Sequence, residues 1–135
     1  MLQVTAGLII FAGRILLAQR PQGKRLGGQW EFPGGKVEAG EALTACLRRE
    51  LQEELELSGT VGVKYAESVY RYPFGDICLH AYWFASESEH VTLHEHQAVV
   101  WLTPEELSDY EMVAADREIA ARLKKQFHGQ FIAQM

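Results

Sequence analysis

The segment Gly34–Leu57, GGKVEAGEALTACLRRELQEELEL, constrains this chain more than any other stretch. Glu50, Glu53 and Glu54 crowd one end of it. At about 100° per residue, Leu47, Leu51 and Leu55 make one stripe of a helix. The three glutamates make the stripe beside it, because residues three and four apart are neighbours. The leucines demand burial, while the carboxylates at their edge repel one another. The pattern predicts a helix from about Glu41 to Glu56, packed on a core, with a bound cation offsetting the repulsion. Hard oxygen ligands at this spacing suit Mg²⁺, with Mn²⁺ as a substitute. The competing reading is a solvated acidic face paired with Arg48 and Arg49. The preceding Gly34-Gly35 pair reads as a turn with backbone freedom. With Lys36 in the same loop, it gives a phosphate chain room to approach the backbone.

The rest of the chain supplies a sheet. Gln3 to Phe11 and Arg14 to Gln19 read as two strands joined by a tight turn at Ala12-Gly13. A Gly-rich basic loop, PQGKRLGGQW, leads to a short strand in WEFPGG that Pro33 stops. TVGVKYAESVYRY and ICLHAYWFAS, separated by Pro73-Phe74-Gly75-Asp76, form a hairpin. AVVWL is a short buried strand. Thr103-Pro104-Glu105-Glu106 has capping-box form with Pro at the first helical position, so a short helix starts there. A last helix runs from about Ala115 to Phe127, with Ile119, Leu123 and Phe127 as its apolar stripe. Interspersed strands and helices around one mixed sheet predict an α/β (α+β) layered fold. The 135 residues suit a single domain over 1–135.

A net charge of −5 argues against a nucleic-acid polymer as partner, since that calls for a basic face. A single nucleotide needs only a local site. Cys46 and Cys78, the two cysteines, make no disulfide framework and read as buried thiols in a reducing compartment. No apolar run reaches the roughly 20 residues needed to span a bilayer. The start MLQVTAGLIIFAGR lacks a basic n-region and does not read as a signal peptide. The expectation is a cytoplasmic protein with no membrane partner, a monomer or weak dimer.

The acidic segment resembles the Nudix box: Gly, five residues, Glu, seven residues, Arg-Glu, an aliphatic, any residue, Glu-Glu, any residue, Gly, an aliphatic. Gly35, Glu41, Arg49, Glu50, Leu51, Glu53, Glu54 and Leu57 stand at those positions. The one departure is Glu56, where the family has Gly. A glycine there would end the helix, so Glu56 is expected to cost stability or to move the helix end toward Ser58-Gly59. ILLAQRP, WEFPGGKVE and HEHQAVVWLTPEEL extend the resemblance to the MutT-type branch, from about Gly7 to Leu123.

The resemblance implies an α/β/α sandwich and a metal-dependent hydrolase of nucleoside diphosphates linked to a further group. For a nucleoside triphosphate the products are a monophosphate and pyrophosphate. The implied metal ligands are Glu50, Glu53, Glu54, the backbone carbonyl of Gly34, and Glu95 from a loop. Glu50 or Glu53 is the implied base or orienter of the metal-bound water, with Arg49 pairing bidentately to orient the carboxylates. Glu41 fixes the loop-helix geometry. Arg20 and Lys36 are the phosphate contacts. Asp116 stands where relatives carry an Asn that bonds the base, and is alternatively a helix N-cap. Phe32 and Tyr72 are the stacking candidates for the base. His94 and His96, with no thiolate beside them, make a weak zinc set. Cytidine nucleotides and oxidised dGTP are the two substrate classes left open, with nucleotide-pool sanitation as the implied purpose. The alternatives are hydrolysis of ADP-ribose or dinucleoside polyphosphates, and a non-catalytic ligand-binding module.

Overall fold

The computed structural model describes residues 1–128; residues 129–135, the tail of the expected domain, lie outside them. The described residues form seven strands, two α-helices and one 3₁₀ helix. β1 (Leu2–Phe11) and β2 (Arg14–Gln19) make the expected hairpin, with Ala12 and Gly13 in the left-handed region at its turn. β3 (Trp30–Glu31) pairs with β2.

β4 (Gly34–Lys36) pairs antiparallel with β1, which corrects the reading of Gly34-Gly35 as a turn and of Lys36 as a loop residue. Neither glycine has positive φ. Close approach is what requires them. A Cβ on Gly34 would stand 1.9 Å from the Thr5 carbonyl oxygen, and one on Gly35 would stand 2.2 Å from the Glu50 carboxyl carbon.

β5 (Gly59–Tyr72) and β6 (Gly75–Ser86) form the long expected hairpin. β6 lies parallel to β1 from Leu2↔Ile77 to Ile10↔Ala85, and β7 (Ala98–Leu102) lies antiparallel to β2. One parallel ladder among antiparallel ones makes the sheet mixed. Its order is β3-β2-β1-β6-β5, with β4 added on β1 and β7 on β2. β1 therefore divides one edge between two partners: β2 at its C-terminal end and β4 at its N-terminal end. The sheet forks there, and the fork opens a cavity.

α1 (Leu43–Leu55) covers one face of the sheet, with Leu47, Leu51 and Leu55 fully buried against Ile9, Leu16 and Phe84. Each buried leucine contributes about 2 kcal/mol by apolar transfer. α2 (Ala114–Gln126) covers the other face, where Ile119 and Leu123 meet Leu8, Ile15 and Leu17. The result is the expected α/β/α layering. Phe127 falls just past α2 and packs edge-on against Trp83 at 5.8 Å.

Both boundaries of α1 differ from expectation. α1 begins at Leu43, not Glu41, because Glu41 spends its carboxylate on Arg49 and on the Glu38 amide. It ends at Leu55, and Glu56 adopts the left-handed conformation (φ 52°, ψ 40°) that glycine favours. The helix end thus stays in place and the backbone takes the strain. The segment Pro104–Asp109 is a 3₁₀ helix whose Thr103 amide donates to Glu106 Oε1 at 2.9 Å, as the capping-box reading requires. Cys46 and Cys78 are free and buried.

Candidate active site

Arg49 organises the acidic helix. Its Nε and Nη2 donate to the two oxygens of Glu41 at 2.7 and 2.9 Å, a bidentate fork. Its Nη1 donates to Glu50 Oε1 at 2.9 Å and, at longer range, to Glu53. Its Nη2 also reaches the Lys36 carbonyl at 3.2 Å. The expected bidentate pairing is thus present, and its partner is Glu41; Glu50 receives a single bond. The Arg49 bond holds the Glu41 carboxyl down at about 2.

Glu50 and Glu54, one turn apart, both turn inward, with side chains only 16% exposed. Glu53 turns out beside Arg49 and is 57% exposed. The helical wheel placed all three on one edge; packing draws in the pair four apart and leaves the third at the rim. The missing Cβ of Gly35 makes the space that Glu50 fills. Burial, then contact with Glu50, then the charges of Glu50, Glu31 and Glu95 push the Glu54 carboxyl up to about 9. Such a cluster needs a positive partner or a proton.

Glu50 and Glu54 line one wall of a cavity of about 710 Å³ at the fork of the sheet, with Gly34, Gly35 and Lys36 of β4 beside them. Glu95 and His96 enter from the loop before β7. Glu95 is 55% exposed and pairs with Lys24 at 3.8 Å. Arg20 bonds Glu31 at 3.2 Å through Nη1 and the Arg25 carbonyl at 2.9 Å through Nε. Phe32, Tyr72 and Asp116 line the same cavity.

Asp116 is not a helix N-cap; Val113 holds that position. The Asp116 carboxylate is buried and accepts the Phe32 amide at 2.9 Å through Oδ2. Burial, with the charge of Glu31 adding, pushes it up to about 8. The stacking candidates are mostly core: Phe32 is 3% exposed and Tyr72 9%. The Tyr72 hydroxyl accepts the Ala115 amide, and its ring stacks on Phe74 at 4.7 Å.

Glu31 and His96 are cavity residues to which the sequence assigns no catalytic or substrate-binding role. Glu31 on β3 joins Arg20 to His96, whose Nε2 donates to Glu31 Oε2 at 2.9 Å. His96 Nδ1 is buried without a hydrogen-bond partner, 3.6 Å from Glu54 Oε2. His96 had appeared only as half of a weak zinc pair with His94. His94 instead donates to Glu56 at 2.6 Å, outside the cavity. Glu31 and His96 lie far apart in sequence, so no local spacing signals their contact.

The residues present fit a hard divalent cation. Glu50 and Glu54, half-buried, line one cavity with the exposed Glu95 and with His96, whose Nδ1 is orphaned, and the oxygen chemistry of the three carboxylates is that of Mg²⁺ or Mn²⁺ ligands. A second cluster, Glu67, Cys78 and His80, lies across β5 and β6. There Lys64 Nζ bonds both Glu67 and His80 Nδ1, so an ammonium already supplies the positive charge.

Known proteins are similar to this chain in sequence and fold. The chain is 45% identical over 117 residues to a CTP pyrophosphohydrolase of Escherichia coli K12, covering 86% of each chain. It is 38% identical over 129 residues to a putative 8-oxo-dGTP diphosphatase 2 of Mycobacterium tuberculosis, covering 93% of this chain and 90% of the relative. The solution structure of the E. coli ORF135 protein superimposes with a TM-score of 0.78 at 38% identity, over 99% of this chain and 95% of that one. The NUDIX domain model matches residues 1–123, a span that takes in the acidic helix, the glycine strand and the loop of Glu95. With a match of that extent, the chain belongs to the Nudix hydrolase family.

Proposed function

We propose that this Nudix hydrolase cleaves nucleoside triphosphates to a monophosphate and pyrophosphate with Mg²⁺, Mn²⁺ serving as a substitute. The observation that carries the reading is the cavity itself. Its carboxylate wall (Glu50, Glu54) stands beside Arg20 and Lys36, and Asp116 and the Phe32 and Tyr72 rings line the same space. One part suits a metal-bound phosphate chain and the other a base.

Glu50, Glu53, Glu54, Glu95 and the Gly34 carbonyl would hold the ion. When bound, it neutralises phosphate charge and lowers the pKa of a bound water. Arg49 fixes the Glu50 rotamer from one side while Gly35 leaves room for it on the other. Glu50 is then the better placed of the two candidate bases, because it faces the cavity and Glu53 faces the rim. It takes the proton of the attacking water. Arg20, anchored by Glu31, and Lys36, on β4, contact the phosphates.

Asp116 reads the base. Held near a pKa of about 8, it can present an O–H donor or a carboxylate acceptor close to neutrality. It can therefore accept from the exocyclic amino group of cytosine or pair with a purine edge. The two named relatives, a CTP pyrophosphohydrolase and a putative 8-oxo-dGTP diphosphatase, support those two bases.

Turnover with Mg²⁺ of CTP, dCTP and 8-oxo-dGTP, scored separately for pyrophosphate and monophosphate release, tests the proposal. Pyrophosphate release from at least one triphosphate is the expected result. Cleavage of ADP-ribose or a diadenosine polyphosphate alone would replace it with the nucleotide-conjugate reading.

A further inference from the structure

Glu56 stands where the family pattern has glycine, and it adopts a glycine-like conformation with φ 52°. A side chain there is strained. It also makes a contact that glycine cannot: Glu56 Oε2 accepts from His94 Nε2 at 2.6 Å. His94 is the neighbour of Glu95. Two main-chain bonds run alongside, from the Thr92 amide to the Leu55 carbonyl (3.0 Å) and from the His94 amide to the Glu54 carbonyl (3.3 Å). The loop that carries Glu95 is thus stitched to the last turn of α1, and the side-chain stitch depends on the residue that breaks the pattern. Glu95 itself has little else to hold it, since its pair with Lys24 is long and exposed.

We infer that Glu56 is a positioning residue: its clasp on His94 holds Glu95 toward Glu54 and so preforms the cation site, at the expense of strain at the helix end. The inference rests on the reading of Glu95 as a metal ligand. It makes two effects of one substitution oppose each other. Glu56→Gly relieves the backbone and removes the clasp, so the protein becomes more stable while its cation site becomes weaker.

The test measures Mn²⁺ binding without substrate, from the free-ion electron paramagnetic resonance signal, and thermal melting in chelator. Glu56→Gly is expected to weaken Mn²⁺ binding about 2- to 5-fold, the range of a single partly exposed pair, while melting about 3 °C higher. His94→Ala is expected to weaken binding to the same degree without the gain in melting temperature. His94→Gln keeps an N–H donor and is expected to bind within about twofold of the parent. Glu95→Gln separates the inference from its premise. If Glu95→Gln weakens binding but Glu56→Gly and His94→Ala do not, the clasp has no positioning role. If Glu95→Gln binds Mn²⁺ like the parent, Glu95 is no ligand and the inference falls with it.

Discussion

At the scale of single residues, the three glutamates of α1 are not equivalent. Glu50 is inward, backed by Arg49 and seated against the bare Cα of Gly35; Glu53 is outward. Glu50→Gln should therefore lower kcat about 10²-fold or more, the usual weight of a general base, and Glu53→Gln should cost less. Parallel pyrophosphate-release assays of the two variants decide it, and a larger loss from Glu53→Gln would reverse the assignment. Asp116 gives a prediction with a definite sign. Its folded pKa, about 8, lies above the ordinary 3.8, so the unfolded chain ionises first as pH rises. Stability from this group is full below about pH 4 and is lost progressively up to about pH 8. Asp116→Asn, which cannot ionise and still offers an acceptor to the Phe32 amide, should gain in melting temperature over the parent as pH goes from 5 to 8. A gain independent of pH would show that Asp116 does not titrate in that window. The box residues were legible in the sequence because they share one helix and one spacing. Glu31 and His96 were not, because what makes them site residues is a contact across the chain that no local period encodes.

At the scale of elements, α1 and β4 work as a matched pair. The stripe Leu47-Leu51-Leu55 was readable from its period and is buried as expected. Leu51→Ala should destabilise the protein by about 2–5 kcal/mol, read as a shift in a urea unfolding midpoint. Gly35→Ala should act differently. Its Cβ would collide with the Glu50 carboxylate, so activity should fall sharply while the far-ultraviolet circular dichroism stays that of the parent. Loss of the fold instead would mean that the strand pairing of β4, rather than the seat of Glu50, is what needs the glycine. The sequence showed that two glycines precede the helix but assigned them to a turn. A residue that must be small for a close approach and one that must be small for a positive φ carry the same letter. Only the neighbours, Thr5 for Gly34 and Glu50 for Gly35, separate the two causes. The same limit applies to Glu56, whose unfavourable φ was foreseen as a cost while its tie to His94 lay in a loop of no regular pattern.

At the scale of the whole molecule, the cavity lies where β2 and β4 part along one edge of β1. The Glu54 carboxyl in the cavity wall, pushed up by burial and by Glu50, would have to lose its proton before a cation could replace it. Mg²⁺ affinity should therefore rise with pH between 6 and 9, by up to about tenfold per unit where one proton is released. Titration calorimetry in buffers of different ionisation enthalpy reads that proton directly, and a flat profile would contradict it. The long ladder between β1 and β6 also has a consequence in time. It joins Leu2 to Ile77 and Ile10 to Ala85, so β1 cannot gain this partner until residue 85 has been made. During synthesis from the N-terminus, the acidic helix emerges well before Glu95, His96 and Asp116. A nascent chain halted before residue 95 carries the carboxylates of the box without Glu95, His96 and Asp116 of the cavity lining. Hydrolysis thus begins only once the segment through Asp116 has been made, and a fragment stalled before it should be silent toward nucleotides.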